Sequence, residues 1–514
     1  MQMVKKLPLW FIVGLLTIFY FLFFCRLTLF TASDLGRHVT NGRVILETGK
    51  IFDTNLYSYT AQNRHAPNHH WLFGVIAYVL EKNSGFGSIT LLTASLYAGA
   101  AGVIFWYIGT KYGKLSMLVS SIFILPLMTD RAEVRPEAFS IFFFALEVVL
   151  LLLWQEKRIR PLYLEIAFFL IACLWVNIHI FFFMTFISLG CFGLQALKEK
   201  NWLQVRELMI VGMLAIIGTL CNPLFIEGAL YPTQILQEYG YPIAENQTPY
   251  FFLRYYTTNF HWYLVGTFII SIIAGLFLIR RNGFKHTALL LLFCIFLAFT
   301  NKLIRFSNFY SLLVALILAS AVAPYRDTFS RFIKKASQDT LVLSGTSLVL
   351  FILVSLLFSS GMFLPFTPAM GLGLSPGINT SAEFFKQLTI QGPIFNNFDI
   401  GGYLIYHLYP KYQVYVDNRA EAYPAAFLEE YKATQTDPVV WQKIDAQYHF
   451  GAIYFSRLER TEWGQQFLVT TFKSKEWVPI YVDDYTVIFI RDIPEHAEII
   501  KKYRLPDELF RVTE

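Results

Sequence analysis

Residues 8–41 read PLWFIVGLLTIFYFLFFCRLTLFTASDLGRHVTN, an apolar run that passes directly into a short polar segment. The apolar part, 8–30, is long enough to cross a hydrocarbon core about 30 Å thick. It is too long for the hydrophobic part of a signal peptide, and no small-residue cleavage site follows it. We therefore predict a membrane span, with the polar segment from Ser33 to Asn41 emerging at the membrane surface.

The pattern of this first segment repeats along the chain. Of the 514 residues, 55% are hydrophobic and 15% are charged, whereas soluble domains have about 25% charged residues. The deficit of charge ends near residue 365, which predicts a membrane part over 1–365 and an aqueous domain over 366–514. Together with 8–30, about eleven spans are predicted. The others are 86–108, 115–129, 138–154, 162–178, 181–197, 208–225, 261–279, 287–300, 305–323 and 340–364.

Lys and Arg are distributed unevenly between the loops. Alternate short loops carry Lys5 and Lys6, then Lys111 and Lys114, and the later ones continue the series. Because cytoplasmic loops of membrane proteins are enriched in Lys and Arg, the N-terminus is predicted to be cytoplasmic. An odd number of spans then places the C-terminal domain outside the cytoplasm, in a protein of the inner or plasma membrane. The net charge of +6 therefore reflects topology, and nothing in its distribution indicates a nucleic-acid partner.

Two predicted outer segments, 31–85 and 226–260, are long. In the first, residues 34–49 and 71–83 have helical patterns, and we expect two short amphipathic helices on the membrane surface. The C-terminal domain alternates helical and strand-like stretches, with strands expected at 393–398, 413–417, 451–455, 477–483 and 486–491. This pattern predicts an α/β domain. It contains neither cysteine nor a nucleotide-binding glycine motif.

The polar segment after the first span carries the most informative residues. On a helix, Asp34, Arg37, His38 and Asn41 lie on one face, because positions three and four apart are neighbours. A carboxylate at this level is suited to take a proton from an acceptor hydroxyl. Asp34 is equally suited to cap the helix that follows it.

A histidine cluster, 63–71 (NRHAPNHHW), lies further along the first outer segment. Close histidines suggest a metal site, but no acidic or cysteine partner lies at ligand spacing. We therefore predict no metal and no other cofactor, and expect His69 and His70 to bind substrate. The alternative is a polar turn in which Trp71 anchors the next helix.

Polar residues also cluster where later spans meet the predicted outer surface. Ionisable groups at such positions usually face a wet cavity and are functional candidates, although some are ordinary loop residues. In the C-terminal domain, Asp417 and Arg419 follow a predicted strand, where they either bind sugar hydroxyls or stabilise local structure. The substrate-binding candidates of these two regions are Arg135, Glu137, Asn177, His179, Lys302, Arg305, Asp417 and Arg419.

These features resemble the bacterial polytopic membrane glycosyltransferases of the GT-C fold, a group related to protein O-mannosyltransferases and aminoarabinose transferases. The resemblance covers most of the chain and includes the order of spans, first outer loop and outer domain. Its motifs are Asp34, NHHWL (68–72), RPE (135–137), WVNIH (175–179), NP (222–223), GGYL (401–404) and VDNRA (416–420).

The resemblance implies transfer of a sugar from a polyprenyl-phosphate carrier to a glycan, lipid or protein acceptor outside the cytoplasm, with inversion. It implies that Asp34 serves as the base and that Arg135 and Arg305 hold the lipid phosphate. Relatives often have paired acidic residues at the first position, whereas Leu35 follows Asp34 here, so Asp53 is the candidate second carboxylate. The competing interpretations are a non-catalytic scaffold and a transporter of a lipid-linked substrate.

Overall fold

The computed structural model describes residues 8–129, 133–233, 241–255, 259–325 and 369–510. The predicted span 340–364 and the residues Asp130 to Ala132 lie outside the described residues. The α-helices, in chain order, are α1 (Leu9–Phe24), α2 (Leu35–Thr48), α3 (Trp71–Ser84), α4 (Phe86–Lys111), α5 (Lys114–Thr129), α6 (Glu137–Gln155), α7 (Pro161–Ile178), α8 (Met184–Lys198), α9 (Trp202–Leu220), α10 (Ile226–Leu230), α11 (Pro249–Tyr255), α12 (Asn259–Asn282), α13 (Thr287–Lys302), α14 (Ser307–Val322), α15 (Thr380–Lys386), α16 (Gly401–Leu408), α17 (Ala425–Thr436), α18 (Pro438–Tyr448), α19 (Glu462–Lys473) and α20 (Ala497–Tyr503).

Membrane-spanning helices dominate the first part of the described chain. Seven helical segments are long and apolar enough to cross a bilayer, and α1, α5 and α13 are shorter apolar helices. The chain is therefore an integral membrane protein, as its composition predicts. The seven long segments are Phe86–Lys111, Glu137–Gln155, Pro161–Ile178, Ile180–Lys198, Trp202–Leu220, Asn259–Asn282 and Ile304–Tyr325. The number of eleven spans stays a prediction.

The first helix is shorter than its apolar run. It ends at Phe24, because the backbone becomes extended at Cys25. Arg26 then bridges to Met370 in an antiparallel β-bridge, and the Leu27 amide donates to the carbonyl of Ala369. The prediction of one helix through residue 30 is wrong, because these residues pair with a distant segment instead of with their own preceding turn.

The chain forms two compact units. Unit 1 contains residues 1–27, 90–232 and 243–372, which include the membrane-spanning helices. Unit 2 contains residues 28–89, 233–242 and 373–514. The first outer segment is thus built into the same unit as the C-terminal domain.

In unit 2, helix α2 packs against α3 and α16. It ends at Gly49, whose left-handed backbone (φ 68°) terminates it as the sequence predicts. Helices α2 and α3 approach so closely that a Cβ on Gly42 would overlap the carbonyl oxygen of Gly74. All residues from Leu35 to Gly42 are buried. The expected amphipathic surface helix is therefore wrong for this part of α2, whose polar residues are enclosed by protein.

The C-terminal part of unit 2 is a small α/β arrangement. Its strands are β1 (Ile394–Asn396), β2 (Ala452–Ser456), β3 (Trp477–Val482) and β4 (Thr486–Arg491), in the order β1-β2-β4-β3. The β1 and β2 strands are parallel, whereas β4 pairs antiparallel with both β2 and β3. The predicted strands 477–483 and 486–491 are confirmed as β3 and β4, which form an antiparallel hairpin, and the small sheet is confirmed as well.

The predicted strand at 413–417 is wrong. The Asn396 side chain takes the place of a neighbouring strand, since its Oδ1 accepts from the Tyr415 amide (2.9 Å) and its Nδ2 donates to the Val416 carbonyl (2.7 Å). Val414 instead forms an isolated bridge with Ser58 of the first outer segment. This stretch therefore connects two parts of unit 2 that are far apart in the sequence.

Replacing Gly42 with alanine is expected to destabilise the protein by about 1–3 kcal/mol, because the added methyl group meets backbone atoms that cannot move aside. The melting temperature of the purified full-length protein in detergent measures the effect. Leu46→Ala is the control on the same helix, because Leu46 is exposed and should change stability by no more than about 0.5 kcal/mol. Equal melting temperatures for the two variants would contradict the close helix contact.

Candidate functional site

Asp34 stands immediately before helix α2, with its side chain partly buried. Its carboxylate makes no capping hydrogen bond. The Ser33 hydroxyl instead accepts from the Leu35 amide (3.1 Å). In the part of the chain that the structure describes, no side chain bonds to the Asp34 carboxylate, so this group is available to a ligand. The capping alternative raised by the sequence does not occur.

Arg37 lies one turn further along α2 and is buried, with 5% of its surface exposed. Its Nε donates to Oδ1 of Asn418 (3.3 Å). No carboxylate among the described residues forms a salt bridge with its guanidinium. The Asp417 carboxyl nevertheless lies close enough that, against the effect of burial, Arg419 and, to a smaller extent, Arg37 lower its pKa. Arg is also well shaped to bind the oxygens of a phosphate or carboxylate. Asp34 and Arg37 therefore give the start of α2 both a carboxylate and a cation.

Asp417 and Arg419 bond to each other. The Arg419 Nε and Nη2 donate to the two oxygens of Asp417, at 2.8 and 2.7 Å. Arg419 Nη2 also donates to Oδ1 of Asn55 (2.8 Å), which links the two distant parts of unit 2. Although burial alone would raise it, the charge of Arg419 holds the pKa of Asp417 below its ordinary value. These contacts give the pair a structural role, rather than leaving it open to sugar hydroxyls.

Asparagine side chains surround this ion pair and α2. The Tyr57 hydroxyl donates to Asn41 Oδ1 (2.6 Å), and Asn41 Nδ2 donates to Asn68 Oδ1 (3.4 Å). The Nδ2 groups of Asn55 and Asn68 are buried, and neither has an acceptor among the described residues. Such donors are suited to sugar hydroxyls. Asn55 and Tyr57 are not predicted as site residues from the sequence, because their only signal is a position in a turn-rich segment.

The predicted histidines come together. The ring of His70 lies 3.9 Å from that of His69 and 5.3 Å from that of His38, measured between centroids. Burial, with the positive charges of Arg37 and Arg419, lowers the pKa of His69 to about 4. His69 is therefore neutral at pH 7. Within the described ranges, no three His, Cys, Asp or Glu side chains are arranged to hold a metal ion.

Acidification is expected to destabilise unit 2 through His69. Between pH 6.5 and about 4 the unfolded chain binds a proton at this residue more readily than the folded one does, so the free energy of unfolding falls as the pH falls. His69→Gln should flatten this part of the curve of melting temperature against pH. The exposed His65 supplies the control variant His65→Gln. Parallel curves for wild type and both variants would argue against the prediction.

A second group of candidates lies in unit 1. Arg135 Nη1 lies 2.5 Å from Oε2 of Glu245, and Arg305 Nη2 lies 3.4 Å from Oε1 of the same carboxylate. Arg305 also donates to Asn246 Oδ1 (3.1 Å), and its guanidinium lies 4.9 Å from the centroid of the Phe181 ring. The structure thus brings together the two arginines proposed from the sequence. It adds Glu245, whose only signal was a carboxylate in the second long outer segment.

The other candidates of unit 1 occupy different environments. His179 Nδ1 and the Ser140 hydroxyl are hydrogen-bonded (2.8 Å), and Trp175 donates to the same hydroxyl (2.7 Å). Asn177 donates to the carbonyl oxygens of Cys173 and Cys221, at 2.7 and 2.8 Å, and so ties the ends of α7 and α9 together. Glu137 is buried in the first turn of α6, and Lys302 is exposed at the end of α13.

Asp53, the second carboxylate candidate, is exposed in unit 2. Its backbone carbonyl accepts from the Ala66 amide (2.7 Å), which closes the turn-rich stretch of the first outer segment. No described residue contacts its carboxylate through a hydrogen bond or ion pair. Asp53 is therefore more exposed to solvent than Asp34.

Solved structures with a similar fold are oligosaccharyltransferases from Archaeoglobus fulgidus. The apo form has a TM-score of 0.60 and 11% identity, and the alignment covers 96% of this chain and 76% of that one. The archaeal oligosaccharyltransferase AglB in complex with an inhibitory peptide and a dolichol-phosphate has a TM-score of 0.57 and 12% identity, covering 94% and 75%. A complex with Zn and sulfate gives 0.52 and 11%, covering 93% and 74%.

No protein-family model and no curated protein sequence matches the chain. At 11–12% identity, the likeness to the archaeal structures shows the fold and not the reaction. It extends over both the membrane-spanning helices and the C-terminal α/β part of the chain. The chain therefore shares the fold of these archaeal structures, which is the GT-C fold predicted from its sequence.

Proposed function

We propose that the protein is an inverting glycosyltransferase that moves a hexosyl or pentosyl group from a polyprenyl-phosphate carrier to an extracytoplasmic acceptor. The observation that carries the proposal is the Asp34 carboxylate, which forms no hydrogen bond with a described side chain. Asp34 precedes the buried Arg37 by three residues. The GT-C fold supports it. In this proposal the N-terminus is cytoplasmic and residues 366–514 are extracytoplasmic.

The proposed chemistry is a single displacement. Asp34 takes the proton of the acceptor hydroxyl while the acceptor oxygen attacks the anomeric carbon of the sugar. The bond from that carbon to the carrier phosphate breaks, and the phosphate leaves with the bonding electron pair. Attack opposite the leaving group inverts the anomeric centre. Arg135 and Arg305 are proposed to stabilise the charge that develops on the phosphate.

The remaining candidates receive supporting roles in this proposal. The buried Nδ2 donors of Asn55 and Asn68 are assigned to oxygens of the bound substrate, because neither has an acceptor among the described residues. Arg37 is assigned to the same substrate for its charge and its position one turn after Asp34. The ring cluster of His38, His69 and His70 shapes the surroundings of α2. Asp417 and Arg419 hold Asn55 in place. Glu137, His179 and Lys302 stay proposed substrate contacts, whereas Asn177 is assigned to fixing α7.

The archaeal neighbour was solved with an inhibitory peptide and a dolichol-phosphate. A lipid-linked donor and a peptide acceptor are therefore among the first substrates to test. The carrier would keep its tail in the bilayer and its phosphate at the headgroup level. A glycan or lipid acceptor is equally compatible with a base that acts on a hydroxyl.

The experiment is a transfer assay with the purified full-length protein. Polyprenyl-phosphate sugars labelled in the sugar, one hexose or pentose at a time, are mixed with peptides and with envelope glycans and lipids. We expect label to leave the carrier and to appear on one acceptor class with the opposite anomeric configuration. The absence of both transfer and donor hydrolysis for every sugar would overturn the proposal and favour a scaffold. Movement of intact donor across a membrane would favour a transporter.

A further inference from the structure

The Glu245 carboxylate is shared by two arginines from distant parts of unit 1. Arg135 precedes α6, whereas Arg305 lies just before α14. Each binds a different oxygen of Glu245, and all three side chains are mostly buried, with 15–23% of their surface exposed. Glu133 supplies a further contact to Arg135 (Nε to Oε2, 2.6 Å), but half of its side chain is exposed.

Glu245 leaves the guanidinium group of Arg305 incompletely satisfied. Arg305 Nε is buried and has no acceptor among the described residues. The contact between Arg305 and Glu245 is long, at 3.4 Å. The phosphate monoester that remains on the carrier after sugar transfer offers more acceptor oxygens than a carboxylate and carries up to two negative charges, so it fits two forked cations better. The carboxylate is therefore an adequate partner for the arginines and a phosphate is a superior one.

We propose that Glu245 occupies the anion site of Arg135 and Arg305 when no ligand is bound, and that the phosphate of the lipid carrier binds there by displacing it. This inference rests on the proposed function. The exchange keeps the arginines paired before and after binding, so they are never left as uncompensated cations. It also favours a phosphorylated lipid over its neutral alcohol, because the alcohol cannot replace the carboxylate.

The surrounding backbone allows this exchange without movement of the segment that carries Glu245. Asn246 Oδ1 accepts from Arg305, and the Gln247 carbonyl oxygen accepts from the Ile304 amide (3.0 Å). These two contacts hold residues 246–247 beside Arg305 independently of the Glu245 side chain. In the proposed exchange the Glu245 side chain changes rotamer while residues 246–247 keep these contacts.

The test is a binding measurement on the full-length protein in detergent, using farnesyl phosphate as the probe and farnesol as its neutral counterpart. Glu245→Gln keeps the shape of the side chain and removes its charge. Because the competing anion is lost, we expect this variant to bind farnesyl phosphate about tenfold more tightly than the wild type. Arg305→Gln should bind it about tenfold or more weakly. Farnesol binding should be equal in all three proteins.

Glu165→Gln is the matched control, because Glu165 lies on α7 far along the helix from its Ile178 end and loses the same charge. It should bind like the wild type.

Competition by inorganic phosphate distinguishes a site that recognises the phosphate alone from one that also needs the lipid tail. Unchanged or weaker binding by Glu245→Gln, in protein that melts like the wild type, would overturn the role of Glu245. If the wild type bound farnesyl phosphate no better than farnesol, the arginines would lose their proposed role as well. Phosphate binding without sugar transfer would instead count against the proposed function alone.

Discussion

Replacing Asp34 with asparagine is expected to lower the rate of sugar transfer about a hundredfold or more, the usual contribution of a general base. The amide preserves the size of the side chain but cannot accept the proton of the acceptor hydroxyl. The carboxylate makes no hydrogen bond to the described part of the chain, so its removal should leave the fold intact. The measurement is the transfer rate at saturating donor, together with the melting temperature of each protein.

Two variants of the same unit separate this role from a general effect of charge. Glu47→Gln removes a carboxylate from the exposed end of α2 and should retain the wild-type rate. Asp53→Asn removes the exposed second candidate and should have a small effect. A fully active Asp34→Asn protein would exclude Asp34 as the base, and an inactive Asp53→Asn protein would transfer that role to Asp53.

The local features of unit 2 were predictable because their signals lie within a few residues. Helix α2 and its end at Gly49 follow from an apolar periodicity and a left-handed glycine. The β3–β4 hairpin follows from two strand-like runs separated by polar residues. Membrane-spanning capacity follows from length and hydropathy alone. In each case interactions between residues close together in the sequence determine the structure.

The predictions that are wrong concern features that depend on residues far apart in the sequence. Residues 413–417 have a strand-like composition, but the Asn396 side chain pairs with their backbone in place of a strand. The burial of α2 depends on α16, which is more than 350 residues away. The sequence pattern of α2 does not indicate that an element from a distant part of the chain packs against it.

The candidate site was predictable by residue type more than by arrangement. Asp34, Arg135 and Arg305 stood out because charges are rare near membrane spans. The sequence did not show that Glu245 joins the two arginines, or that Asp417 and Arg419 neutralise each other. A list of charged residues gives candidates, but only the pairing shows which charges are already satisfied.

Replacing Asp417 with alanine is expected to lower the free energy of unfolding of unit 2 by about 3–5 kcal/mol, because it leaves the buried Arg419 without its counter-charge. Asp417 is fully buried, and its oxygens accept from Arg419 and from the Tyr423 hydroxyl (3.1 Å). The melting temperature of unit 2, measured by limited proteolysis of the full-length protein at increasing temperatures, should fall by about 10 °C. The pKa of Asp417 lies below its ordinary value, so this stabilisation is present above about pH 4 and is lost as the pH falls further.

The control for that prediction removes both charges at once. In the double variant Asp417→Leu with Arg419→Met, no charge is left unpaired, so the loss should be smaller than in Asp417→Ala. Part of the loss should remain, because Asn55 no longer receives the hydrogen bond from Arg419. If the double variant were as unstable as Asp417→Ala, local packing rather than the unpaired charge would explain the effect. If Asp417→Ala melted like the wild type, the ion pair would contribute little to stability, and its residues would again be candidates for direct substrate binding.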